Sequence, residues 1–522
     1  MKAVRANGDG SLFYTMNLGV FSPSRTYRAM CYRPKTQGSV AHLASLDTVR
    51  ALSVLWLVVF HTYFVGYSLG RESGIDDLPA QPWAGFIVMG QLSVDGFLLV
   101  SGFLITRIIV REQRRTQSRL RLSRFFFRRL FRVGPGQWFL LALYGIVYAV
   151  MTGENEPNCR TYWWRTVLFI NNLWPVNDMC LVLTWSLSLE VQFYVAITCV
   201  LVGLRTRPYA WNKAACWAGL ALTYLVRLAT IYGNPTFTFP PDMSAFGDAV
   251  GTGYADVIYD KPQSRFGTIL CGSLVALYYI EHVEECPKDE APVPLHSALW
   301  LVGIVPASTC CIMVFSFGNP YVYASSQNMS DGLGRFLYAS YRLLYTGSLA
   351  ILLYGWLLLR ATVPYDELHP TEHAVVAEGS TEESNNTPPS RSCCYGFMVW
   401  FVDHRLWYYI AQVSYGMYLL NPLIITGTYM AKFPVDYSIE GRMATPAYAM
   451  LAIVVNTVLT MLGATLLYMA IERPCMDLRN VRCCERHEPP QERAGLSTVP
   501  SDDENENNSL LVEMAKLPHG RK

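Results

Sequence analysis

The chain has 522 residues, of which 52% are hydrophobic and only 16% are charged, whereas about a quarter of the residues of an ordinary soluble domain are charged. This composition excludes a purely water-soluble protein and indicates that a lipid bilayer surrounds most of the chain. The 42 basic and 40 acidic residues almost cancel, to a formal net charge of +2, and nothing in this balance suggests a nucleic-acid partner.

Apolar stretches recur along the chain, and a stretch of about 20 such residues is long enough to cross a bilayer as a helix. They predict an all-α fold, a polytopic integral membrane helical bundle of about ten transmembrane helices. The predicted spans lie near residues 49–69, 84–106, 136–151, 184–204, 209–232, 266–280, 296–318, 335–360, 407–430 and 446–471.

The predicted spans divide the chain into three parts. Residues 1–42 form a cytoplasmic N-terminal segment, residues 43–474 the membrane domain, and residues 475–522 a cytoplasmic tail. The tail and a cytoplasmic loop at about 364–392 contain few apolar residues, so we predict that both are disordered.

The first span contains an ionisable pair. His61 follows Arg50 by 11 residues, which places both on nearly the same helix face and about 16 Å apart along the axis. A histidine is a natural proton acceptor near neutral pH and can deprotonate a hydroxyl that attacks a thioester. The alternative is a neutral histidine that only bridges helices by hydrogen bonds.

The loop after the second span is strongly basic. Ten arginines lie between residues 107 and 132, against the single acid Glu112. The positive-inside rule places this loop in the cytoplasm, and ten spans then place both termini there. Most of these arginines fix topology and contact anionic lipid, but Arg129 and Arg132 lie at the mouth of the third span, where they can hold a phosphate-bearing cosubstrate.

Two acids lie within spans, where a charged side chain is a candidate for function. Asp95 is in the second span and Glu190 is in the fourth. Either acid could orient His61 or hold substrate, and either could instead be a structural partner for Arg227 or Arg342.

The cysteines give little further information. The 14 cysteines show no paired CxxC spacing of the zinc type, so we expect no metal site. Cys159 and Cys180 share one outer loop, where they either form a disulfide or remain free thiols.

Together these segments resemble the acyltransferase-3 family of membrane acyltransferases, from about residue 43 to residue 478. LDTVRALSVLWLVVFH carries Arg50 and His61 at the arginine-x10-histidine spacing of the family. The later matches are SVDGFLLVSGFLIT with Asp95, Ser101 and Gly102, RRLFRVGP with Arg129 and Arg132, and WSLSLEVQFYV with Trp185, Ser186, Ser188 and Glu190.

The late motifs SYGMYLLNPLII and IERP also resemble the family, with one departure. Asn421 stands where many members carry histidine. The resemblance therefore implies no role for that position in this chain, while His61 is retained.

The resemblance implies transfer of an acyl group, commonly acetyl, from acyl-coenzyme A to a hydroxyl of a carbohydrate or lipid-linked acceptor. Acyl-coenzyme A is then a cosubstrate, with no permanently bound cofactor. It further implies that Arg129 and Arg132 bind coenzyme A from the cytoplasm and that His61 is the base, and we expect Arg50 to guard the cytoplasmic mouth and Glu190 or Asp95 to set the tautomer of His61.

A transporter or binding protein for lipids or small molecules could use the same scaffold without catalysis. The retained arginines, histidine and glutamate motif favour the enzyme. In either case the sequence predicts a multi-pass protein surrounded by membrane lipids, in the plasma membrane or an endomembrane.

Overall fold

The computed structural model describes residues 43–69, 85–115, 122–154, 156–234, 255–285, 331–362, 393–436 and 445–478, with short pieces at 26–27, 30–31, 306–309 and 311. Most of the predicted span at 296–318, the loop at about 364–392 and nearly all of the terminal segments 1–42 and 475–522 lie outside the described residues.

The fold is all-α, as predicted, and the described ranges contain no β-strand. The helices are α1 (Ala44–Leu69), α2 (Ser93–Arg115), α3 (Leu122–Thr152), α4 (Pro157–Val167), α5 (Trp185–Gly203), α6 (Tyr209–Gly233), α7 (Pro262–Tyr279), α8 (Asp331–Thr362), α9 (Cys393–Asp403), α10 (Arg405–Met430) and α11 (Pro446–Leu467). A π-helical turn, Tyr468–Glu472, joins α11 to the short helix α12 (Arg473–Leu478).

Eight helical segments of the described chain are long and apolar enough to cross a membrane, those built on α1, α2, α3, α5, α6, α7, α8 and α11. Helix α10 coincides with the predicted span at 407–430, but polar side chains such as Gln412, Ser414 and Asn421 make it less apolar than those eight. The prediction of a polytopic helical bundle is therefore confirmed.

The third span starts earlier than its hydropathy suggests. Helix α3 begins at Leu122 rather than near residue 136. Its first turns alternate arginines with phenylalanines, and long arginine side chains can keep their charge in a polar region while their stems pack on apolar surface. A hydropathy window discards such turns although they continue the helix.

Helices α2 and α7 pack with their backbones in close contact. A Cβ atom at Gly102 would overlap the carbonyl oxygen of Ile269, and one at Gly272 would overlap that of Leu99. Small residues at such positions allow membrane helices to approach closely. Beside them, Thr106 Oγ1 donates a hydrogen bond to Ser273 Oγ over 2.8 Å.

Helix α1 contacts several helices of the bundle. It packs against α2 and α10, and α11 contacts both α1 and α10. The ionisable residues of α1 therefore face neighbouring helices.

The loop that precedes α5 is held by a covalent bond. Cys159 in α4 forms a disulfide with Cys180, which decides between the two alternatives that the sequence leaves open. Lys261 also binds this loop, because its Nζ donates to the carbonyl oxygens of Asn172 and Trp174 over 2.8 and 2.9 Å.

Candidate active site

Two cavities in the bundle share one wall. The arginine cavity, of about 160 Å³, is lined by Arg50, Arg129 and Arg132. The histidine cavity, of about 90 Å³, is lined by His61 and Asp260. Val94 and Tyr418 line both cavities, so their side chains form the wall between them, which we call the shared wall.

The arginines of the first cavity keep most of their hydrogen-bond donors for a ligand. Arg50 donates one bond, from Nη2 to Ser414 Oγ over 3.0 Å. The guanidinium of Arg129 lies over the Tyr194 ring, 5.8 Å from its centroid. Within the described ranges neither Arg129 nor Arg132 forms a salt bridge, and guanidinium forks of this kind match phosphate geometry.

Carboxylates balance these charges. Glu190 accepts hydrogen bonds from Ser101 Oγ, over 2.5 Å, and from the Tyr194 hydroxyl. Glu472 is buried in the same cavity, and its Oε1 has no hydrogen-bond partner among the described atoms. Glu190 therefore lies with the arginines, which favours the predicted role of holding substrate over that of orienting His61.

Asp95 forms a buried ion-pair cluster. Its Oδ1 lies 2.7 Å from Arg265 Nη1 and its Oδ2 lies 2.7 Å from Arg342 Nη1, and Thr268 Oγ1 donates to Oδ1 over 3.2 Å. Because arginines occupy both oxygens, this position agrees with the structural alternative, with Arg342 as a partner. Arg227 donates instead to the carbonyl oxygen of Tyr338.

His61 is buried and bonded to Asn421. The hydrogen bond joins His61 Nδ1 and Asn421 Oδ1. The amide nitrogen of Asn421 donates to the carbonyl oxygens of Met417 and Tyr418 over 2.8 and 2.9 Å. Since the amide presents its oxygen to the imidazole, Nδ1 must be the protonated nitrogen, and Nε2 retains the lone pair that accepts a proton.

The next residue explains the orientation of this amide. Pro422 lies inside α10 and has no backbone N–H, so the carbonyl oxygen of Tyr418 loses its usual helical donor. The Asn421 side chain supplies that donor. The expectation that Glu190 or Asp95 sets the tautomer of His61 was therefore wrong, because Asn421, to which the resemblance gave no role, makes the contact.

The WSLSLEVQFYV motif supports the shared wall. Ser186 Oγ lies 2.7 Å from the Tyr418 hydroxyl, which also bonds the Leu183 carbonyl oxygen. Ser188 Oγ donates to Asn171 Oδ1 over 2.5 Å. These bonds fix both Tyr418 and the loop that covers the histidine cavity.

Trp185, from the same motif, lines the histidine cavity. Its ring lies 5.0 Å from the Tyr259 ring and 4.9 Å from the Arg265 guanidinium, measured to the centroids. Trp185 therefore connects the cavity lining to the ion-pair cluster of Asp95.

Sequence reasoning missed Asp260, which lies just before α7. The side chain lines the histidine cavity and is 2% exposed. Burial raises the pKa of the Asp260 carboxyl to about 7, although the neighbouring Lys261 ammonium acts in the opposite direction. Asp260 lies outside the predicted spans, where acids are common, and the available signal was an Asp-Lys-Pro sequence directly before a span.

A comparison with family models matches residues 43–362 to a model described as an acyltransferase domain. The chain belongs to the acyltransferase-3 family. The matched range contains α1 to α8, whereas α10 and α11, which help to enclose the arginine cavity and hold Asn421, follow it.

Curated relatives match at low identity. The chain is 26% identical over 259 residues to Nose resistant to fluoxetine protein 6 of Caenorhabditis elegans, covering 44% of this chain and 31% of the relative. It is 27% identical over 179 residues to O-acetyltransferase OatA of Staphylococcus aureus (strain NCTC 8325 / PS 47), covering 32% of this chain and 26% of the relative. The chain thus spans a third or less of the length of these relatives. No solved structure matches.

Proposed function

We propose that this protein is a membrane O-acyltransferase that moves an acyl group, in the first instance acetyl, from acyl-coenzyme A to a hydroxyl of a carbohydrate or lipid-linked acceptor. The observation that carries the proposal is the pair of cavities with a shared wall: three arginines line one, and a histidine with an available Nε2 lines the other. Membership of the acyltransferase-3 family and the name of OatA support the reaction class.

The arginine cavity suits the donor. Acyl-coenzyme A carries several phosphate charges, and Arg129 and Arg132 have uncommitted donors for them. Arg50, bonded to Ser414, belongs to α1, the helix that also carries His61. In this proposal the arginines hold the nucleotide end, and the thioester points toward the shared wall.

The histidine cavity suits the proton transfer. His61 Nε2 takes the proton of the acceptor hydroxyl as the oxygen attacks the thioester carbonyl. The new carbon–oxygen bond forms, the carbon–sulfur bond breaks, and His61 returns the proton to the thiolate of coenzyme A. Asn421 Oδ1 accepts the Nδ1–H throughout and stabilises the imidazolium.

The proposed orientation places the arginine-cavity end of the bundle in the cytoplasm, together with both termini. Arg129 and Arg132, which line this cavity, belong to the basic stretch of the sequence at 107–132. The opposite end carries the Cys159–Cys180 disulfide, a bond that persists in oxidising compartments. This fits a plasma membrane or an endomembrane of the secretory route.

The test is transfer of radiolabelled acetyl from acetyl-coenzyme A to membrane acceptors by the purified full-length protein in proteoliposomes. We expect label that falls at least a hundredfold in His61→Ala and falls strongly in Arg129→Ala. Arg128→Ala is the matched control, because Arg128 is the neighbouring arginine and does not line the cavity.

Full activity in a folded His61→Ala protein would contradict the assignment of the base. Absence of label from wild-type protein with acetyl and longer acyl donors would contradict the transferase and favour a transporter or binding protein.

A further inference from the structure

The lining of the histidine cavity is mostly apolar. His61 and Asp260 bring an imidazole and a carboxyl group, and the other lining side chains are aliphatic or aromatic, with polar atoms at Trp185, Tyr259 and Tyr418. The Tyr418 hydroxyl, which is polar, is already bonded to Ser186 and to the Leu183 carbonyl. A ligand that brings several hydroxyls into this space would leave most of them without partners, which is costly.

Asp260 has spare capacity to accept hydrogen bonds. An ionised carboxylate offers about four acceptor positions. Lys261 Nζ donates to Asp260 Oδ2 over 3.2 Å. The same Nζ lies 3.1 Å from Asp260 Oδ1. Among the described atoms, however, Oδ1 has no partner with hydrogen-bond geometry. The other bonds of Lys261 Nζ go to backbone carbonyls of the covering loop. Oδ1 therefore lies beside the Lys261 ammonium but keeps an acceptor position to which a ligand hydroxyl can donate.

The size of the cavity limits what enters it. Its volume of about 90 Å³ is well below the roughly 300–1,000 Å³ of pockets that enclose whole small molecules. It therefore admits the reacting end of an acceptor, while the rest of that molecule extends outside.

Resting on the proposed function, we infer that the histidine cavity is the acceptor site and that Asp260 is an acceptor-binding residue within it. The acceptor is an amphipathic alcohol: an apolar body that ends in a hydroxyl, which reacts at His61, and one neighbouring hydroxyl, which donates to Asp260.

The second hydroxyl takes no part in the bond changes. The proton of the first hydroxyl goes to His61 Nε2, its oxygen bonds the acyl carbon, and the thiol of coenzyme A leaves with the proton that His61 returns. Asp260 holds the neighbouring hydroxyl and keeps its own protonation state. Its loss therefore weakens acceptor binding and leaves donor binding unchanged.

The experiment uses the purified full chain in proteoliposomes with labelled acetyl-coenzyme A and three probe acceptors. 1-O-dodecylglycerol carries the second hydroxyl, 1-dodecanol lacks it, and glucose lacks the apolar body. We expect the wild-type protein to acetylate dodecylglycerol most efficiently, dodecanol less and glucose least.

The variant Asp260→Ala separates binding from folding. We expect the KM for dodecylglycerol to rise by about tenfold or more, as for loss of a hydrogen bond to a charged group. The KM for acetyl-coenzyme A and the rate with dodecanol should stay near the wild-type values, which shows that the protein is folded. Asp178→Ala is the control, since Asp178 is an acid of the covering loop that pairs with Arg165 and does not line the cavity.

Two outcomes would overturn the acceptor assignment while leaving the acyltransferase intact. One is preferential acetylation of glucose by the wild-type protein. The other is an Asp260→Ala variant that loses activity equally with dodecylglycerol and dodecanol. Failure of the wild-type protein to label any acceptor would contradict the proposed function and the acceptor site together.

Discussion

At the scale of single residues, the chemistry proposed for His61 depends on one amide. Asn421 holds the proton on Nδ1 and leaves the Nε2 lone pair for the proposed role as base, and Pro422 leaves the Tyr418 carbonyl for the amide to satisfy. An amide at this position therefore does what a second imidazole could do in relatives with histidine there, since either group can accept the Nδ1–H.

Replacing this amide should lower turnover without affecting donor binding. In Asn421→Leu the His61 Nδ1–H has no acceptor and the tautomer is no longer fixed. We therefore expect kcat to fall about tenfold to a hundredfold, which is less than the full contribution of a general base. The KM for acetyl-coenzyme A should not change. Steady-state kinetics in proteoliposomes measure both values.

Two further variants serve as controls for this result. Asn456→Leu removes another buried amide, which bonds Thr428 and Thr62, and we expect it to affect stability without a selective fall in kcat. Asn421→His should retain activity. Equal kcat in Asn421→Leu and the wild-type protein would mean that Asn421 does not set the tautomer.

Asp95 should affect stability more than chemistry. Asp95→Asn leaves the buried Arg265 and Arg342 without their shared carboxylate, and breaking a buried pair in this way costs about 3–5 kcal/mol. We expect a marked fall in the thermal midpoint of the detergent-solubilised protein, followed by size-exclusion chromatography after heating. Normal thermal stability combined with lost activity would instead assign Asp95 to catalysis.

At the scale of helices, sequence reasoning predicted most of the spans and several of the ionisable residues that line the cavities. It succeeded for α1, α2 and α5 because apolar length and rare intramembrane charges are local signals. It placed the start of α3 too late because hydropathy penalises arginines whose stems pack in the bundle. It could not pair His61 with Asn421, which is 360 residues away in sequence, because that contact depends on how α1 packs against α10.

The contact between α2 and α7 predicts a strong dependence on glycine. In Gly102→Ala the new methyl group would meet the backbone of Ile269, so the helices must separate, and overpacking of this kind costs about 1–3 kcal/mol. Thermal unfolding in detergent should show this loss.

The matched control for Gly102 is Gly145→Ala in α3, where a Cβ meets nothing within 4 Å. There we expect no loss, or a gain of up to about 1 kcal/mol from the better helix propensity of alanine. Equal thermal stability of the two variants would contradict the close backbone contact between α2 and α7.

At the scale of the whole molecule, the bundle holds two cavities of different character, which the proposed function assigns to two substrates. The arginine cavity lies near the beginning of α3, at Arg129 and Arg132, and the histidine cavity lies beneath the disulfide-linked loop. Under the proposed function, transfer takes place across the shared wall of Val94 and Tyr418, and the donor and the acceptor approach from opposite sides of the membrane.

Enlarging the shared wall should separate donor binding from transfer. In Val94→Phe the larger ring narrows the passage between the cavities, so we expect acetyl transfer to fall at least tenfold while the affinity for acetyl-coenzyme A stays within about twofold. Val94→Ile, a smaller change, should keep most of the activity. A Val94→Phe protein that loses donor affinity and transfer equally would contradict a role in the wall alone.

The most direct test of the central claim is sided transfer in sealed membrane vesicles. Labelled acetyl-coenzyme A is supplied either to the face that carries residues 107–132 or to the opposite face, and acetylated product is measured. We expect label only when the donor meets the face that carries residues 107–132, and none in His61→Ala. Equal label from both faces, or label from the opposite face alone, would contradict the separation of donor and acceptor across the bundle.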